Sequence, residues 1–157
     1  MATVKNTDRL LKRLNNIANV DVKKPMEKAT LMVHAQAKLL APADTGNLRE
    51  SIHQEVKTTS NSVEGRVFTN VQYAPYVEFG TGIKGNGSYP YKLKDIKLSY
   101  RNTPWVYTPD GGETFYYTKG QVAQPFMYPA LKQNEKAIKE MFKDEVKAEI
   151  RKQCKGG

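Results

Sequence analysis

The chain is poor in the side chains that build most chemical centres. It holds one cysteine, Cys154, and two histidines, His34 and His53. A lone thiol excludes a disulfide framework and fits synthesis in a reducing cytoplasm. No stretch approaches the roughly 20 consecutive apolar residues that a membrane span needs. The first residues, MATVKNTDRL, lack an apolar core, so no secretory signal is expected. There is no Arg-rich block either, although the net charge is +9, from 25 Lys+Arg against 16 Asp+Glu. Residues 1–28 hold seven basic and three acidic side chains, and residues 129–157 hold eight and five. A solvated basic surface, or one matched to an acidic protein partner, accounts for this spread better than affinity-driven DNA binding does.

Apolar content is also low, at 39% with a mean hydropathy of −0.65. A length of 157 residues fits one domain able to bury a core. With so little apolar material, part of its surface falls to loops or arms. Residues 1–157 read as a single domain: an N-terminal arm or helix over 1–24, a helix-plus-sheet core over 25–128 with a flap at 83–101, and a C-terminal helix over 129–157. No internal repeat or low-complexity tract interrupts it.

Familiar catalytic patterns fail on context. Gly80-Thr81-Gly82-Ile83-Lys84-Gly85 spells G-x-G-x-x-G, but Asn86-Gly87-Ser88-Tyr89-Pro90 follows and does not start the helix a dinucleotide fingerprint requires. A hinge into the flap is the reading that remains. His34 and His53 lack metal-ligand spacing, so no metal or other cofactor is expected. Ser51, His53 and Asp44 lack the sequence of a nucleophile elbow. Glu78, between Val77 and Phe79, reads as a carboxylate among buried neighbours with a structural hydrogen bond or ion pair, Arg49 being a candidate partner by type alone.

What the chain does have is shape. Thr7 caps a short helical pattern with Leu10/Leu11, Leu14 and Ile17, an arm that would order against a neighbour. Pro25 opens a second helix with Met26, Ala29, Val33 and Leu40 on one face and Met32, Ala35 and Leu39 widening it. That helix stops at Ala41 before Pro42. Asp44-Thr45-Gly46 is a turn, and Leu48 and Ile52 are one helical turn apart. Strands are expected over 52–57 and 63–71, with Val63, Gly65, Val67, Thr69 and Val71 on one face. A second hairpin spans 105–108 and 113–118 around Pro109-Asp110-Gly111-Gly112. Pro129 opens a long helix lined by Leu131, Ile138, Met141, Phe142 and Val146, with Glu–Lys pairs on its flanks. Aromatic residues crowd between Tyr73 and Tyr128. They read as core, as protein interface, or, beside Lys92, Lys94, Lys97 and Arg101, as a nucleic-acid surface.

Three blocks carry a resemblance. Ala41-Pro42-x-Asp44-Thr45-Gly46-x-Leu48-Arg49-x-Ser51-Ile52 is the first, and Tyr73-Ala74-x-Tyr76-Val77-Glu78-Phe79-Gly80-Thr81-Gly82 the second. Thr118-Lys119-Gly120-Gln121-x-Ala123-Gln124-Pro125-Phe126, running into Pro129-Ala130-Leu131, is the third. In this order they resemble the tail-component, neck or tail-completion proteins of long-tailed bacteriophages. The resemblance implies an α+β domain with helices on antiparallel strands, no enzymatic activity, and no catalytic residue to transfer. It implies a homo-oligomeric ring, six-fold by expectation, at the head-proximal end of the tail. Partners would be a head-closure or connector protein and a tail terminator or tube protein. The subunit would be made in the host cytoplasm and end in the virion. A tail terminator that caps tube growth is the alternative within the same machinery, and a basic nucleic-acid-binding protein is the alternative outside it. Pro42, Asp44, Thr45, Gly46, Leu48, Arg49, Tyr73, Tyr76, Glu78, Phe79, Gly80, Thr81, Gly82, Gln124, Pro125 and Phe126 are the expected fold-shaping or interface residues. Lys92, Lys94, Lys97 and Arg101 form a flap expected to face DNA or a partner.

Overall fold

The structure, a computed structural model, describes residues 21–43, 46–93 and 96–155. The expected helix around Leu10–Ile17, together with Asp44, Thr45 and Lys94, lies outside the described residues, as does the Cys154 side chain. The elements in chain order are helix α1 (Lys23–Leu40), the single turn α2 (Asn47–Glu50), strands β1 (Ile52–Thr58) and β2 (Val63–Thr69), helix α3 (Ala74–Phe79), the single turn α4 (Gly82–Gly85), strands β3 (Trp105–Tyr107) and β4 (Tyr116–Thr118), and helix α5 (Met127–Lys155). This is an α+β chain. Its strands form two separate two-stranded sheets, β1–β2 and β3–β4.

Both long helices start two residues earlier than their prolines suggest. Pro25 and Pro129 each sit third in the helix, still within the first turn, where a backbone N–H has no intrahelical acceptor to lose. The chain leaves α1 where expected, with the Ala41 N–H bonded to the Ala37 carbonyl at 2.9 Å before Pro42 intervenes.

The packing divides into two compact units. One takes the described residues up to Val33, Gln54–Val67 and Gln133 onward; the other takes His34–His53 and Phe68–Lys132. In the first, α1 lies against β2 through small residues. Ala29, Thr30 and Val33 are buried, and Thr30 returns its hydroxyl to the Met26 carbonyl at 2.7 Å. A Cβ on Gly65 would fall 2.1 Å from the Thr30 hydroxyl and 3.0 Å from the Met26 sulfur. The β2 alternation holds through Thr69: Val63, Gly65, Val67 and Thr69 are half-buried, while Glu64, Arg66 and Phe68 face water. Lys28 of α1 pairs with Glu145 of α5. Ile138, Met141, Phe142 and Val146 on α5 are half-buried.

In the second unit the core is Ala37, Ala41, Leu48, Ile52, Ala74, Phe126 and Ala130, with Phe126 and Ile52 the largest fully buried side chains. Two expected faces shift here. The helix α1 buries the row Ala29, Val33, Ala37, Ala41, whereas Leu39 is 70% exposed and Ala35 is also exposed. In α5, Ala130 is buried and Leu131 is 54% exposed. In both helices a small residue is buried and a larger neighbour turns outward.

Because Gly65 leaves room for a threonine, Gly65→Ala should destabilise the protein by about 1–3 kcal/mol through overpacking. The double variant Gly65→Ala/Thr30→Ala, which removes the obstructing hydroxyl, should recover part of that loss. Urea unfolding of the three proteins checks both.

Candidate functional site

The first block folds as a clasp on the end of α1. Gly46 takes φ of 78° and starts the α2 turn, a conformation few other residues adopt. The turn sends Leu48 into the core and aims Arg49 back, so that its Nε donates to the Ala41 carbonyl at 2.7 Å. That carbonyl is among those left without partners at a helix C-terminus, and a guanidinium there also meets the negative end of the helix dipole. Ser51 bonds the Leu48 carbonyl and the Thr69 hydroxyl, both at 2.7 Å, tying the turn to β2. His34 meets the Ile52 carbonyl at 3.0 Å through Nε2. Ser51 and His34 therefore both hold backbone.

The second and third blocks lock onto each other. Gly80 ends α3 at φ 76°, and the chain turns extended at Thr81. Thr81 and Gln121 exchange backbone bonds in both directions, at 2.9 and 3.1 Å. The Gln121 side chain donates to the Tyr76 carbonyl at 2.9 Å, and the Gln124 N–H donates to the Val77 carbonyl at 2.8 Å. A Cβ on Gly120, whose φ is 90°, would fall 1.9 Å from the Thr81 carbonyl oxygen, so only glycine allows this approach. The Lys84 N–H reaches the Lys119 carbonyl at 3.1 Å. Residues 80–85 are thus pinned and include the α4 turn, where a hinge was expected.

Glu78 is the centre of this lock. It is 5% exposed, and its carboxylate accepts the backbone N–H groups of Phe126, Met127 and Tyr128 at 2.7, 2.9 and 3.2 Å. These groups open α5 and have no acceptor within the helix. A carboxylate from another element supplies the cap, and its charge opposes the positive end of the helix dipole. The expected Glu78–Arg49 pair is not formed: Arg49 is bound to Ala41, and the backbone of 126–128 takes the place of a cation. Pro125, just before, has no N–H to satisfy.

The aromatic residues split into two groups. Phe79, Tyr89, Tyr91 and Tyr128 form a chain of ring contacts with centroids 5.1, 5.6 and 4.8 Å apart. Tyr89 also lies 3.4 Å from the Glu78 carboxylate, and Tyr100 donates to the Phe79 carbonyl at 2.9 Å. Burial, then the Glu78 charge, pushes the Tyr89 phenol well above its ordinary value near 10. The tyrosine side of the flap is therefore anchored, while Lys92, Lys97 and Arg101 are exposed.

The second group is presented. Trp105 lies on the flat patch left by Gly82, with the Arg101 guanidinium 5.5 Å from its ring centre. From that base β3 and β4 run out as three antiparallel pairs, Trp105↔Thr118, Val106↔Tyr117 and Tyr107↔Tyr116. Phe115 is 72% exposed and Tyr117 68%. The strands are shorter than expected because Asp110 takes the Thr114 N–H at 3.0 Å and folds 110–114 into a loop. Tyr73 and Tyr76, on α3, are 43% and 59% exposed. The sequence named the aromatics without separating the two groups; the acidic loop inside the 105–118 stretch was the available signal.

Comparison with known proteins bears on this arrangement. Residues 5–80 match the family model described as "Bacteriophage HK97-gp10, putative tail-component". Over these residues, just under half of its length, the chain is similar to the HK97-gp10-like family of phage tail components. The match takes in the α1 clasp and ends at Gly80, within the second block, so the third block is joined to the family's segment by the lock described above. No curated protein and no solved structure matches the chain. No helix among the described residues is long and apolar enough to cross a membrane.

Removing the Glu78 carboxylate strands three backbone donors, so Glu78→Ala should lose about 3 kcal/mol or more. Glu78→Gln, which keeps one acceptor oxygen, should lose less; chemical denaturation reads both. The raised Tyr89 pKa gives a sign with pH. Above pH 10 the unfolded chain releases this proton while the folded chain keeps it, so stability falls as pH rises past that point. Tyr89→Phe should flatten that alkaline slope, measured as thermal midpoints from pH 8 to 11.

Proposed function

We propose that this protein is a neck or tail-completion subunit. Identical copies close into a ring, six-fold by expectation, at the head-proximal end of the tail. The ring joins a head-closure or connector protein on one side to a tail terminator or tube protein on the other. The observation that carries this reading is the tail-component family match across the segment that builds the α1 clasp and most of the α3 motif. Its physical support is the use made of the polar motif residues. Arg49, Ser51, Glu78 and Gln121 all bind backbone and fix geometry. A ring subunit needs fixed geometry with apolar contacts presented outward, and the β3–β4 hairpin presents Val106, Tyr107, Phe115, Tyr116 and Tyr117.

The role is structural, with no reaction to catalyse. The exposed Lys92, Lys97 and Arg101 would add non-specific contact with DNA passing through the lumen. Cells infected with a phage lacking this protein should accumulate filled heads and unattached tails. A map of the intact particle should place the subunit between capsid and tail. Its absence from purified particles would remove the proposal.

A further inference from the structure

An apolar pocket of about 290 Å³ opens beside the Glu78 cap, within the second unit. Val71, Ala74, Pro75, Phe79, Phe126 and Met127 form most of its wall. A cavity of about 150 Å³ already holds a benzene ring, so one phenyl group fits this opening with room to approach. Glu78 also borders the pocket, but its carboxylate oxygens are taken by the N–H groups of 126–128, so an apolar occupant would not strand this buried charge. Phe115 is not among the pocket's lining residues and stands 72% exposed, the most exposed large apolar side chain among the described residues. One protomer thus carries an unfilled apolar hole and an uncovered aromatic knob on different elements.

We propose that Phe115, at the end of the β3–β4 hairpin of one copy, seats in the Val71–Phe79–Met127 pocket of the next copy. A knob and a hole at different places on the same chain make a heterologous contact, the kind that propagates around a ring. Charge selects a second copy as the occupant. Residues 105–118 contain Asp110 and Glu113 and no basic side chain, in a chain of net charge +9. The Asp110 carboxyl is held below the usual range by hydrogen bonds from Thr114, so the loop is anionic at neutral pH. An acidic loop beside exposed rings is attracted to a basic copy of the same protein and repelled by nucleic acid or an anionic membrane. The inference deepens the ring reading and rests on it.

Directional cross-linking tests it. In a Cys154→Ser background, copies carrying Thr114→Cys are mixed with copies carrying Gln72→Cys at the pocket rim. Both positions are exposed, Thr114→Cys keeps the backbone N–H that Asp110 accepts, and Phe115 stays in place. Mild oxidation of the mixture should give a disulfide-linked 114–72 dimer far in excess of dimers from either copy alone. Phe115→Ala should weaken self-association at least tenfold by sedimentation, with the thermal midpoint unchanged, and Phe115→Trp should retain association. Rings or virion incorporation without the 114–72 link, or preferential 114–114 links, would overturn this contact and leave the ring reading standing. No self-association together with absence from particles would overturn both.

Discussion

The buried carboxylate of Glu78 is the constraint on which the second unit's motif region depends. An α-helix begins with N–H groups that its own turns cannot satisfy. Here three of them, at the head of α5, are satisfied by one side chain from α3. That side chain is in position because Gly80 ends α3 and Thr81 pairs with Gln121 in an extended bridge. The bridge closes only because residue 120 has no Cβ. Cap, helix stop and glycine contact are one device, and each part fails without the others. The same carboxylate also raises the Tyr89 phenol and forms part of the pocket rim, so the chemistry of the cap reaches the surface.

Much of this was legible in the sequence. Pro42 ending a helix, a hairpin expected over 52–57 and 63–71 and found at 52–58 and 63–69, and the long C-terminal helix follow from proline geometry and from periodicities of two and 3.6. The first block and most of the second were recognisable as parts of a tail-component segment. Their partners were not, because a backbone N–H has no residue type. Glu78 was read as a carboxylate with a structural hydrogen bond or an ion pair, Arg49 being a candidate partner by type alone, yet both act on peptide groups. Helix faces were misjudged for a related reason. Size-weighted patterning favours Leu39 and Leu131, but the buried positions are Ala37 and Ala130, and both leucines are exposed. The pinning of residues 80–85 was hidden as well, since its bonds reach across some forty positions to residues 119–121.

The division of the aromatics has the same origin. Phe79, Tyr89, Tyr91 and Tyr128 lie near the cap, where ring faces and a phenol can be shared. Val106, Tyr107, Phe115, Tyr116 and Tyr117 lie on a hairpin whose base is held by Trp105 on Gly82. Three residue pairs do little to hold a hairpin alone. Its direction is therefore set at the base by the indole, and its outer part is left to whatever covers the rings.

The Glu78 cap recognises peptide groups and is indifferent to the side chains that carry them. The cap itself asks nothing of the side chains at 127 and 128, whose identities answer instead to the Tyr91 ring and the pocket. A search for co-varying pairs would then overlook the strongest polar tie in this unit, since only one of its ends is written in the alphabet of amino acids.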